Sequence, residues 1–203
     1  MYFSGEARWF FHGVASGAAD NWLAFDEPEE VQDQRTDRYL VLPGCETVGI
    51  KIREGNFEIK AQASPSRPVT YTDAVAGFCN TWVKWSRSAD DFSGITDRPR
   101  DDERWVFVRK QRRVKLFSLE SGEPEEVPYG GRRLAAGCQV ERTDIEVLSG
   151  ADRWWSFSFE AFGEPAELLR NLELTVRHVA NRNAAISLRE DDSMSYPEWL
   201  SAL

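Results

Sequence analysis

Residues 47–62 read TVGIKIREGNFEIKAQ, and the odd and even positions of this stretch differ in kind. Val48, Ile50 and Ile52 alternate with Lys51 and Arg53; beyond Glu54-Gly55, Phe57 and Ile59 alternate with Glu58 and Lys60. Side chains of a strand point to opposite faces in turn, so each run carries one apolar and one charged face. Two such runs joined by a short glycine-containing link predict an antiparallel hairpin, with Gly55-Asn56 as its turn.

The same period of two recurs outward from this hairpin. It predicts strands at 6–12, 38–43 (ending at Pro43-Gly44), 78–87, 103–111, 114–119, 137–148 and 154–162. Helical spacing occurs at 165–181, where Leu168, Leu169, Leu172, Val176 and Val179 share a face and Glu164-Pro165 opens the first turn. A weaker helix is expected at 20–25 and a short one at 197–203. No internal repeat or low-complexity linker divides the 203 residues, so one domain over 1–203 is expected. An antiparallel sheet of eight or nine strands curls into a barrel or splits in two.

Two arrangements satisfy the hairpin. In a β-sandwich the apolar face lines a core and the charged face meets solvent. In a tunnel the apolar face meets covering helices and the charged face lines a wet interior. An apolar face left in water is the case soluble monomers avoid.

The chain carries 25 Lys and Arg against 34 Asp and Glu, a formal charge of −9. That total argues against a general nucleic-acid binder, which needs a basic footprint. The acids, however, are bunched in three stretches: Asp26, Glu27, Glu29, Glu30 and Asp33; Glu120, Glu123, Glu125 and Glu126; Glu190, Asp191 and Asp192. These read as solvated loops, whereas the bases fall inside strands: Lys51, Arg53, Lys60, Lys84, and six between Arg104 and Lys115. No apolar run reaches the ~18 residues a membrane span needs, and the N-terminus lacks the pattern of a secretory signal. Cys45, Cys79 and Cys138 are odd in number and far apart, which fits a reducing, cytoplasmic setting.

The motifs, taken in order, resemble the CYTH domain of the triphosphate tunnel metalloenzyme superfamily. The run Arg35-Thr36-Asp37-Arg38-Tyr39-Leu40 matches that family's D-x-Y segment, Lys51-Ile52-Arg53 its basic hairpin arm, and Phe57-Glu58-Ile59-Lys60 the arm that follows. Lys110-Gln111-Arg112 matches its later K-x-R strand, and Ser158-Phe159-Glu160 stands where an E-x-E strand precedes a helix. The resemblance implies a mainly β, antiparallel eight-stranded closed tunnel with a packed C-terminal helix. It also implies phosphate ligands at Arg8, Lys51, Arg53, Lys60, Lys84, Lys110 and Arg112, and Mg²⁺ or Mn²⁺ ligands at Glu6, Glu58, Glu141 and Glu160. Glu6 and Glu160 would be the catalytic pair.

Two departures stand out. The family's opening E-x-E-x-K is here Ser4-Gly5-Glu6-Ala7-Arg8, and the closing E-x-E has become S-x-E. Serine is a much weaker ligand for a hard cation than carboxylate, so the metal site is weakened while the phosphate ligands survive. The expected function is binding of a small polyanionic phosphate, with triphosphatase activity or a non-catalytic binding module as alternatives. A β-sandwich interaction domain is the third. Trp9, Trp82, Trp85, Trp105, Trp154 and Trp155 read mainly as packing; His12 and His178 read as surface or cap residues. No catalytic triad or glycine-rich phosphate loop is visible.

Overall fold

A computed structural model describes residues 2–24, 30–96, 103–150, 152–183 and 186–203. Asp26, Glu27 and Glu29 of the first acidic stretch, and the last residue of the helix expected at 20–25, lie outside the described residues. Among the described residues ten strands form: β1 Tyr2–His12, β2 Glu30–Val31, β3 Arg35–Leu40, β4 Val48–Arg53, β5 Asn56–Thr72, β6 Val75–Ser88, β7 Trp105–Ser118, β8 Glu125–Val127, β9 Gly137–Val147 and β10 Asp152–Phe162. The helices are α1 Gly17–Asp20, α2 Ser93–Thr96, α3 Leu168–Asn183 and α4 Tyr196–Ser201.

Eight strands follow one another in the order β7-β3-β4-β5-β6-β1-β10-β9, and β9 pairs with β7 to close the ring. Every ladder is antiparallel. Among the described residues the short β2 and β8 pair only with β7. Closure leaves no open edge on the ring itself, which removes the hazard of unpaired strands.

The hairpin behaves as its alternation requires, with Lys51 opposite Glu58 and Ile50 opposite Ile59. Its turn is Glu54-Gly55, not Gly55-Asn56: both residues have positive φ (50° and 74°), the type I′ geometry that suits strand twist. Strands expected to be separate at 103–111 and 114–119 are one continuous β7, because Arg112 and Arg113 simply take opposite faces. The arm expected to end at 62 runs on to Thr72, past Pro65 and Pro68, with register shifts where the ladder is interrupted.

The charged face points inward. Glu6 and Arg8 of β1, Lys51 and Arg53 of β4, Glu58 and Lys60 of β5, and Lys110 and Arg112 of β7 all line the interior. The β-sandwich alternative, which needs those bases in solvent, is therefore set aside. The apolar core lies outside the ring: Ala7, Trp9, Phe157 and Phe159 pack under Leu172, Val176 and Val179 of α3. The helix does not extend over the outer face of the 47–62 hairpin, where Ile50 and Ile59 are half-buried and neighbouring Trp85 is 43% exposed.

A second apolar cluster sits inside the ring, at one end. Phe10, Tyr39, Val108, Ile145 and Val147 pack there with Trp199 and Leu200 of α4, which enters as a plug. The segment leading to α4 is strapped to the wall: Met194 N donates to Arg8 O (3.1 Å) and Phe78 N to Ser193 Oγ (2.8 Å). Gly77 permits this approach, since a Cβ there would come within 2.6 Å of Ser193 Oγ. Ser195 and Glu198 then form a capping box that starts the helix. No helix among the described residues is long and apolar enough to cross a membrane.

Candidate functional site

Above the plug the ring encloses a cavity of about 140 Å³. By the same measure that is roughly ten times what one water requires. All eleven residues singled out as phosphate or metal ligands from the sequence lie on its wall: Arg8, Lys51, Arg53, Lys60, Lys84, Lys110, Arg112, Glu6, Glu58, Glu141 and Glu160. Strand alternation places them there, because each occupies the inward position of its own strand. Arg35, Tyr39, Trp82 and Tyr196 line it too and were not singled out. Arg35, Asp37 and Tyr39 alternate in phase, which is a readable pattern. Tyr196 had no such cue, because only the docking of α4 brings it in.

The carboxylates are each enclosed by bases. Asp37, fully buried behind the wall, accepts from Arg35 Nε (3.1 Å) and Tyr39 Oη (3.2 Å), with Lys110 Nζ at 3.4 Å and Lys51 Nζ at 3.7 Å. Glu58 meets Lys51 Nζ and Arg53 Nη2, both at 3.2 Å, and Lys84 Nζ at 3.9 Å. Glu141 accepts from Arg112 Nε (2.6 Å) and Gln139 Nε2 (3.0 Å), with Arg8 Nη1 at 3.6 Å. Glu6 accepts from Arg8 Nε (2.8 Å) and from Lys60 Nζ, which also lies 3.6 Å from Glu160 Oε1.

Eight cationic side chains line the cavity against four carboxylates. With Asp37 counted, the bases keep a surplus of three. The consequences show in the ionisation. Burial would raise the Glu6 carboxyl, but Lys60 and Arg8 outweigh it and hold it at about 2. Burial likewise opposes Lys110, Lys51 and Arg35 at Asp37, whose carboxyl is also held at about 2. The bases are less well served. Burial pushes Lys110 well below its ordinary value, with Lys51 and Arg8 adding to the effect and Asp37 opposing it; Lys51 is lowered for the same leading reason. Crowded cations in a low-dielectric space form a site pre-organised for an anion.

A resident divalent cation fits this donor set poorly. Hard cations need several free oxygens, whereas every carboxylate here already lies within ion-pair distance of at least one base. No group of three or more His, Cys, Asp or Glu side chains is arranged to hold a metal among the described residues. Ser4 and Ser158, at the altered motif positions, are buried hydroxyls.

No protein-family model matches the chain, and no curated protein matches it. Among solved structures it is similar to a conserved hypothetical protein from Pyrococcus furiosus, at 12% identity and a TM-score of 0.44, over 96% of this chain and 98% of that one. A likeness at this level says nothing of function.

Proposed function

We propose that the cavity binds a small, multiply charged phosphate anion, such as tripolyphosphate or the triphosphate end of a larger molecule. The observation that carries this reading is the convergence of eight bases from the ring strands on one sheltered cavity with too few carboxylates to neutralise them. Arg53 and Arg112 suit bidentate contacts to phosphate oxygens, and the lysines act as point charges. The resemblance to the CYTH domain supports the same reading. Thermal denaturation with tripolyphosphate tests it: at a ligand concentration of 100 Kd, stability should rise by about 2.7 kcal/mol. A Lys51→Ala/Arg53→Ala double variant should lose that response. An unmoved melting temperature in the parent protein would sink the reading.

A second reading, hydrolysis of the bound triphosphate with Mg²⁺ or Mn²⁺, is favoured by one feature: Glu6 and Glu160 are register partners and both face the cavity. Phosphate release from tripolyphosphate, thiamine triphosphate or nucleoside triphosphates separates an enzyme from a binding module.

A further inference from the structure

On the wall formed by β1 and β10, Glu6 and Glu160 stand directly opposite one another. Two inward carboxylates so placed repel unless a cation lies between them. The cation present is the ammonium of Lys60, carried by β5 with β6 intervening. Its Nζ contacts Glu6 Oε2 and lies 3.6 Å from Glu160 Oε1, and it sits 5.4 Å from the ring centre of Trp82. Arg8 Nε closes the remaining Glu6 oxygen at 2.8 Å. One ammonium and one guanidinium thus neutralise this carboxylate pair. The other six lining bases then face Asp37, Glu58 and Glu141, with the exposed Glu54 3.5 Å from Arg53, and a surplus that attracts an anion survives without any added cation.

We propose that Lys60 is a built-in counter-ion for the Glu6–Glu160 pair, taking the position a divalent cation would occupy. The cavity therefore accepts its phosphate polyanion in the metal-free form. The proposal rests on the polyanion reading above, and names which ionic form of the ligand the site selects. A metal complex of tripolyphosphate carries less negative charge and would bring a cation to a wall that already holds one.

Calorimetric titration of tripolyphosphate into the full chain, in EDTA and then in excess Mg²⁺, decides between the alternatives. The expected result is binding in EDTA that is as tight as, or tighter than, binding with Mg²⁺. Binding at least tenfold tighter with Mg²⁺ would overturn the proposal. Failure to bind in either condition would instead remove the polyanion reading beneath it. Lys60→Met supplies a gain-of-function test, with Mn²⁺ alone as the probe. The variant should acquire a Mn²⁺-dependent rise in melting temperature and a bound-Mn²⁺ signal in electron paramagnetic resonance, both absent from the parent. Adding Glu160→Gln should abolish them. A folded Lys60→Met protein indifferent to Mn²⁺ would show that the lysine holds no cation site closed; should that variant not fold, the EDTA and Mg²⁺ titrations decide alone.

Discussion

The Lys110 ammonium lies 3.8 Å from the ring centre of Tyr196, so a base of the ring rests on the aromatic face of the plug. Tyr39, stacked on Tyr196 with ring centres 5.0 Å apart, adds a second face 4.6 Å from the same nitrogen. Asp37 at 3.4 Å is its carboxylate partner. A desolvated cation–π contact contributes on the order of 2 kcal/mol, which does not offset the burial of an ammonium among Arg8 and Lys51. Lys110 is therefore the base whose charge is least secure, and the one an arriving anion would alter most.

This sets the proton balance of binding. Burial, then Lys51 and Arg8, lower the Lys110 pKa in the free protein, against Asp37 and Glu141. A bound anion restores it upward. Between the lowered free value and the higher bound one, binding takes up a proton and affinity rises as pH falls. Calorimetry in two buffers of different ionisation enthalpy should show that uptake. Lys110→Met should lose it and bind about ten- to a hundredfold more weakly, the equivalent of one charge-assisted hydrogen bond. Equal proton counts in parent and variant would contradict this.

The inward charged face was half legible. The alternation of 47–62 shows that Lys51, Arg53, Glu58 and Lys60 share a side, yet the same alternation serves a sandwich. What separates the two is the β7–β9 ladder that closes the ring, a pairing between distant segments that no local pattern encodes. Asp37 was visible within the Arg35–Tyr39 run but not as a group gathering three bases, because two of them arrive from other strands. For α4, Ser195 and Glu198 spell a capping box, but six residues carry no record of where they dock. The continuation of β5 through 63–72 has no clear alternation to announce it: Pro65 falls at a register shift between Ser64 and Arg67, while Pro68 pairs in register with Phe78.

Acid should unfold the protein early. Glu6 and Asp37 are held at about 2, and Glu141 is pushed lower still by Arg112 and Arg8 against the opposing effect of burial. A depressed carboxyl contributes stability that is complete above its ordinary pKa and is lost as pH falls through the folded value. The urea midpoint should hold above pH 4.5, the ordinary glutamate value here, then fall by a few kcal/mol in equivalent stability toward pH 2. A midpoint unchanged down to pH 3 would show that these pairs contribute nothing.

Arg8 and Lys84 should separate fold from binding. Arg8 is buried and serves both Glu6 and Glu141, so Arg8→Met leaves two buried carboxylates short of a partner and should cost about 3–5 kcal/mol. The Lys84 side chain is 34% exposed and lies 3.9 Å from Glu58. Lys84→Met should stay within about 0.5 kcal/mol of the parent while still weakening tripolyphosphate binding. Comparable stability losses in the two variants would refute the distinction.

Trp82 offers an optical probe of occupancy. It lines the cavity at 3% exposure, and its Nε1 finds no hydrogen-bond acceptor among the described residues. The Lys60 ammonium lies 5.4 Å from the Trp82 ring centre, and an anion that engages Lys60 weakens this cation–π contact and changes the field at the indole. Tripolyphosphate should change the tryptophan emission, and Trp82→Phe should lose most of that change and bind several-fold more weakly. An identical emission response in the variant would place the anion away from this wall.

The plug ties stability to the chemistry of the floor. Trp199 is 1% exposed and stacks on Phe10 with ring centres 4.8 Å apart and planes within 3°. Trp199→Ala should cost about 3–5 kcal/mol, read as a lowered urea midpoint. Leu200→Ala, at about 2–5 kcal/mol, serves if the first variant does not fold. Loosening α4 also admits water beneath Tyr196, so the burial that depresses Lys110 weakens and its pKa moves back up. The proton uptake on anion binding should then shrink along with stability, although neither mutated residue carries a titratable group. A destabilised variant with the full proton uptake of the parent would show that the plug holds the ring together without setting the charge state of Lys110.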